Sequence, residues 1–267
     1  MEPFESQRPR AASWVRVLGV LFLAAGLGAA AWFTKDVIDG ADPKGARHLA
    51  TPDRSAVEAA ITTASRSTVK IEGSACGLAT AGSGVVVGDG VVLTAAHVVA
   101  GATESRVVDS TGSHRAVAVL VDPLADLAVL YSDGLSDEPV TISSTPAGRG
   151  TAAVVLGYPR GGQLHASPAV VLDSYRAEQN DIYGREQAER EILEVQAPVV
   201  PGSSGGPVVD SKGELIGIVF GQSQGDPDVG FAVTATAIDR SVEAGRRAAE
   251  TGARAVSTGD CLTTTTS

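Results

Sequence analysis

The sequence predicts an all-β domain, and three observations carry that prediction. Glycine is abundant, with 31 in 267 residues, while aromatics make up only 4%. From about residue 67 the chain runs as short apolar segments rich in Val, Ala and Ile. Turn signals interrupt them at Gly88-Asp89-Gly90, Thr111-Gly112 and Ser211-Lys212-Gly213. Branched side chains pack well on a pleated surface, and glycines supply the backbone angles of tight turns, so such runs read as strands. Many short strands at this spacing indicate a sandwich or a barrel.

Before that domain stands a different kind of segment. Val17 to Phe33 carries no charge, and Trp14 and Trp32 flank it. Their separation corresponds to roughly 27 Å of helix, close to the hydrocarbon thickness of a bilayer. Tryptophan favours both membrane interfaces, and Arg8, Arg10 and Arg16 on the near side favour a cytoplasmic N-terminus. The expectation is one N-terminal transmembrane helix over 14–34, with 1–13 cytoplasmic and the bulk extracytoplasmic. A cleaved signal peptide, with Ala29-Ala30-Ala31 as the small-residue site, is the alternative, and it exports the domain equally.

Residues 34–55 mix charge, Gly and Pro without an apolar period and read as an exposed linker. A short helix over 56–65 completes a linker region of 35–66. Strands are expected at 68–73, 83–88, 91–95, 115–121, 127–131, 152–157, 168–173, 191–196, 207–209, 214–220 and 229–234. Residues 176–190 are polar and charged and read as a mobile surface loop. A helix over about 236–250 closes the domain, which spans 67–262. The tail 263–267 is expected to be disordered, and no further folded domain is expected after residue 262.

Composition also excludes functions. A net charge of −10 argues against nucleic-acid binding, which needs clustered Lys and Arg. No Cys/His cluster has metal-ligand spacing, so neither a metal nor a cofactor is expected. The two cysteines, Cys76 and Cys261, suit a bridge in an exported protein and unpaired core positions in a cytosolic one. A bridge would close a loop long enough to stabilise by roughly 5 kcal/mol in the chain-entropy model.

Three segments carry chemistry. Pro201-Gly202-Ser203-Ser204-Gly205-Gly206-Pro207 holds a hydroxyl in a glycine turn, where backbone N–H groups can face a reacting carbonyl. Thr94-Ala95-Ala96-His97-Val98-Val99 brings a histidine to the end of an apolar strand. Asp126-Leu127-Ala128-Val129-Leu130 opens another strand with an acid. Asp122 competes with Asp126, which is preferred because an apolar strand follows it directly. His48, His114 and His165 read as surface or loop residues.

In this order of His, Asp and Ser, the sequence resembles the chymotrypsin-like serine proteases, and among them bacterial trypsin-like enzymes of the periplasmic type. Leu156-Gly157-Tyr158-Pro159, Asp181-Ile182-Tyr183-Gly184 and Val219-Phe220-Gly221 extend the likeness to the membrane-bound acid-resistance proteases of mycobacteria. That resemblance implies two six-stranded antiparallel β-barrels with a C-terminal helix, a Cys76–Cys261 disulfide, and periplasmic work in envelope stress. It implies His97, Asp126 and Ser204 as catalytic residues and the amides of Gly202 and Ser204 as an oxyanion hole. It puts the base of the primary pocket at Pro198, which is uncharged and so disfavours Lys or Arg before the scissile bond. Val219, Phe220 and Gly221 would pair with extended substrate. Ser203 stands where digestive relatives carry the Asp that pairs with a freed N-terminus. The implied partners are a protein or peptide substrate and, through the N-terminal helix, the membrane. The chain departs from the mycobacterial pattern in its anchor, one expected span in place of several. The alternative function is a catalytically silent, protease-like peptide-binding domain of the envelope.

Overall fold

The computed structural model describes residues 48–262. The expected cytoplasmic residues, transmembrane segment and tail lie outside the described residues, as do linker residues 35–47. Among the described residues, no helix is long and apolar enough to cross a membrane.

Twelve strands form two closed barrels. The first contains β1 (Thr68–Ala75), β2 (Leu78–Gly88), β3 (Val91–Thr94), β4 (Ala102–Val108), β5 (Ser113–Asp122) and β6 (Leu127–Tyr131), in the order β1-β2-β3-β6-β5-β4. The second contains β7 (Ala152–Gly157), β8 (His165–Asn180), β9 (Gln187–Gln196), β10 (Pro207–Asp210), β11 (Leu215–Gln222) and β12 (Val229–Thr234), in the order β10-β11-β12-β9-β8-β7. Read from β7, the second order repeats that of the first. All strand pairs are antiparallel.

The chain ends cover the barrels crosswise. Helix α1 (Arg54–Ser65) buries Val57, Ala60, Ile61 and Ala64 against β7, β8 and β10 of the second barrel. Helix α3 (Ala235–Glu250) lies over β3, β5 and β6 of the first barrel and β11 and β12 of the second. Gly245 permits that approach, since a Cβ there would collide with Val129. Arg246 donates to the Val87 carbonyl at 2.7 Å. These covers explain why β11 from Leu215 to Phe220 and all of β12 are buried without alternation. Such strands have a barrel core on one face and another layer on the other.

Three differences from the sequence expectations have plain causes. Strand β4 is not among the expected strands, because only Ser105 and Val107 of ATESRVV point inward while Glu104 and Arg106 pair outside. Residues 176–190 are not simply a loop. They extend β8 and β9 into a hairpin beyond the barrel, held by Arg176 against Glu191 at 2.5 Å and Glu189 at 3.8 Å. Only 181–186 turn. This hairpin buries mostly polar residues, Gln179, Asp181 and Arg190, so its composition mimics a loop. Finally, the chain docks before residue 56: Leu49 exchanges two 2.8 Å hydrogen bonds with the Gln196 side chain, and His48 meets Asp226 at 3.0 Å.

Candidate active site

Strand register brings the first two candidate residues together. Strands β3 and β6 are neighbours, with Thr94 opposite Ala128. His97 follows Thr94 by three positions on the single turn α2 (Ala96–Val99), and Asp126 precedes Ala128 by two. The imidazole Nδ1 lies 2.9 Å from Asp126 Oδ2 and 3.1 Å from Oδ1, and the His97 amide donates to Oδ1 at 3.0 Å. In the tautomer in which Nδ1 donates to the carboxylate, Nε2 is the acceptor nitrogen of the ring. The Asp126 side chain is 0% exposed and that of His97 10%. Asp126 has φ +55°, a left-handed conformation that Asp tolerates better than most residues. Asp122 acts on the backbone instead. Its Oδ1 accepts the amides of Leu124 and Ala125, each at 3.0 Å, and shapes the turn that delivers Asp126.

The serine turn lies between β9 and β10 and leans on the first barrel. Gly205, at φ +81°, packs so closely on Thr94 and the Ser83 carbonyl that any Cβ would collide with both. Ser204 thus sits beside the strand end that carries His97. Gly202 has φ +94°, and a Cβ there would lie 2.5 Å from Tyr158 O and Arg160 N. The Ser203 amide is consumed by Val200 O at 2.9 Å. Among the described residues, the amides of Gly202 and Ser204 donate to no carbonyl.

One contributor is not among the residues expected from the sequence, where Ser83 reads only as the start of a strand. Its amide donates to Ser204 O at 2.8 Å, and its hydroxyl donates to Gly202 O at 2.7 Å. The hydroxyl accepts from the Tyr158 amide at 2.8 Å, and its carbonyl accepts from the Thr94 hydroxyl at 2.6 Å. This fully buried residue links both barrels. The only local signal is the pair of flanking glycines in Gly82-Ser83-Gly84, in the middle of β2, and it names no role.

The expected substrate segment begins at Val219, whose backbone pairs with Gly205 and Gly206 at 2.7 and 2.9 Å. Phe220 occupies a bulge between Val219 and Gly221, and a Cβ on Gly221 would meet open space. Pro198 is exposed, while Ala197 and Val199 on either side are buried. Val199 is the side chain packed against Gly230, where a Cβ would collide with it. His48 and His165 lie on the surface, and His114 is partly buried on β5 with its Nε2 3.0 Å from Asp109.

Cys76 and Cys261 form a disulfide with Cα atoms 5.9 Å apart. It fastens the tail to the first barrel, where Val256 donates to Ala118 O at 2.8 Å and Gly101 donates to Thr258 O at 3.1 Å. Arg185 at the hairpin tip pairs with Asp260 at 2.8 Å.

Comparison with known proteins agrees with this geometry. The family model described as "Trypsin-like peptidase domain" matches residues 82–218. The serine protease Rv3671c of Mycobacterium tuberculosis is 36% identical over 219 residues, covering 80% of this chain and 54% of that protein. A mitochondrial serine protease HTRA2 of Bos taurus is 35% identical over 145 residues, covering 51% of this chain and 30% of that protein. The chain therefore spans about half or less of these relatives' lengths. Among solved structures, the active form of Rv3671c matches with TM-score 0.75 at 34% identity, covering 83% of this chain and 97% of that one. Its inactive form matches with TM-score 0.65, also at 34% identity, over 77% of this chain and 100% of that one.

Proposed function

The chain belongs to the trypsin-like peptidase family, and from that premise we propose that it is a serine endopeptidase working through Ser204, His97 and Asp126. Ser204 Oγ attacks the peptide carbonyl. His97 Nε2 takes its proton and then gives it to the leaving amine, which departs as the acyl-enzyme forms. Water repeats the sequence and releases the acid. Asp126 fixes the tautomer and stabilises the imidazolium. The amides of Gly202 and Ser204 receive the oxyanion, a contribution typically of about 10²–10³-fold in turnover. The observation that carries this reading is the buried Asp126 carboxylate bound to both the amide and the ring of His97, with the Ser204 turn packed on the same strand end. The higher match to the active form of Rv3671c than to its inactive form supports it.

A fluorophosphonate probe tests the reading. The wild-type chain should label, Ser204→Ala should not, and peptide cleavage should disappear with the label. Labelling that survives Ser204→Ala would refute the assignment.

For substrate, the reading is a small or medium apolar side chain before the scissile bond. Val199 fills the space beside Gly230, and Pro198 brings no charge. A peptide-library profile dominated by Arg or Lys would contradict this. For location, the reading is an N-terminal membrane anchor over residues 14–34 with the protease domain extracytoplasmic. It rests on the apolar segment, its flanking tryptophans and the preceding arginines. Extraction from membranes by detergent but not by salt, with the domain open to external protease in intact cells, checks it. Envelope stress is the physiological setting implied by the mycobacterial resemblance, and loss of acid tolerance on deletion tests that.

A further inference from the structure

Arg190 on β9 is 4% exposed, an unusual place for a guanidinium. Burying this cation is costly unless its donors are satisfied. Here carbonyls take two of its three nitrogens. Nε and Nη2 donate to Leu124 O at 3.2 and 2.6 Å, and Nη2 reaches Asn180 O at 3.5 Å. The guanidinium carbon also stands 5.1 Å from the centroid of the Phe220 ring, which stacks on Phe231 at 6.3 Å. One side chain therefore touches two parts of the candidate site. Phe220 belongs to the segment expected to pair with substrate. Leu124 lies two residues before Asp126, in the turn braced by Asp122.

The same turn is held a second time, by the Ile182 amide donating to Pro123 O at 3.2 Å. The β8–β9 hairpin thus clasps the approach to Asp126. The charged groups facing Arg190 are Asp126, Asp122 and Asp181, with His97 beyond Asp126. Burial lowers the guanidinium pKa, and the three carboxylates oppose that.

We propose that Arg190 is a positioning residue that couples the substrate-pairing segment at Phe220 to the turn that sets Asp126 against His97. The inference rests on the triad reading above. Its fork fixes the Leu124 carbonyl, and its flat face registers where Phe220 lies. Lysine keeps the charge but not the fork or the stacking face.

The test uses the full chain, with kcat and KM measured per active site titrated by fluorophosphonate. Arg190→Gln should lower kcat/KM by about 10²-fold, as expected for a misplaced catalytic group. The loss should fall on kcat through the Asp126 turn and on KM through the Phe220 segment. Arg190→Lys, which keeps the charge without the fork, should lose activity by the same order. A merely structural role would lower the number of titrated sites and leave kcat and KM per site unchanged. If Arg190→Gln fails to give a native near-UV spectrum, a double-mutant cycle of Arg190→Lys with Phe220→Leu carries the test. Losses well short of additive support the coupling. Fully additive losses overturn it, as does a folded Arg190→Gln with kcat and KM each within about twofold of wild type. Fluorophosphonate labelling of the wild type and its loss in Ser204→Ala are scored separately, so failure of the triad reading is not mistaken for failure of this one.

Discussion

The two barrels share one strand order, yet they hold their parts of the candidate site by different means. In the first barrel, His97 and Asp126 flank two paired strands, so ladder register brings them near each other, and the turn before Asp126 is then held by Asp122 and Arg190. In the second, Ser204 rides on irregular backbone between β9 and β10. Its conformation depends on glycines at φ +94° and +81° and on hydrogen bonds from Ser83 across the interface. Register is a property of one sheet, and it survives as long as that sheet does. A loop held by another domain's side chain is correct only while the two domains stay docked. The acid–base pair should therefore be the robust half of the site and the serine turn the conditional half.

The largest expected effect tests the robust half. Asp126→Asn should lower kcat by about 10⁴, because the amide favours the wrong imidazole tautomer, with little change in structure. Steady-state peptide cleavage measures it, and a loss below tenfold would mean that His97 is oriented by something else. Next comes the tail. The chain-entropy model gives the Cys76–Cys261 bridge, with a sequence separation of 185, an upper guide of roughly 5 kcal/mol. Cys76→Ala, or reduction, should lower the urea midpoint and release residues 256–261 from the first barrel. Unchanged stability and activity would remove the disulfide as a control point.

The conditional half is probed by Ser83→Ala, which leaves the Gly202 carbonyl and the Tyr158 amide without their shared partner. A cost of about 1–3 kcal/mol is expected for the buried groups. The accompanying loss should fall on kcat with KM little changed, because the serine turn shifts and the substrate segment does not. Equal loss in Asp126→Asn and Ser83→Ala would erase the distinction between the two halves.

The smallest effect lies far from the site. Burial would raise the Asp109 pKa, but bonds from the Thr111 hydroxyl and amide, the Ser136 amide and His114 outweigh it and hold the carboxyl well below its usual range. A depressed folded-state pKa gives stability that is present above the unfolded value and lost as pH falls toward the folded one. Asp109→Asn should therefore cost about 1 kcal/mol at neutral pH. The gap to wild type should narrow as pH drops below about 4, near the ordinary carboxylate value. Thermal melts across pH measure this, and a gap constant with pH would show that Asp109 acts through shape alone.

Much of the molecule is legible in the sequence where one element decides its own fate. Strands β6, β7 and β12 fall on the expected residues because their apolar runs are continuous and bounded by turns. The glycine-flanked serine, the histidine after β3 and the aspartate before β6 are visible as local patterns. Strand β4 and the outer β8–β9 hairpin are not, since their partners are charged residues on neighbouring strands. Ser83 is invisible as a site residue, because its partners Tyr158, Gly202 and Ser204 lie 75 or more positions away.

The sequence by itself determined most of the strands, the choice and order of the three candidate catalytic residues and the glycines that permit the serine turn. Each of these follows from short-range backbone preference or side-chain periodicity. Only the tertiary structure decided that Asp122 braces the turn ahead of Asp126, that Val199 rather than Pro198 is buried beside Gly230, and that Arg190 lies between Phe220 and Leu124. Those outcomes depend on how barrels, hairpin and tail dock, and docking is set by sums of contacts between residues far apart in the chain.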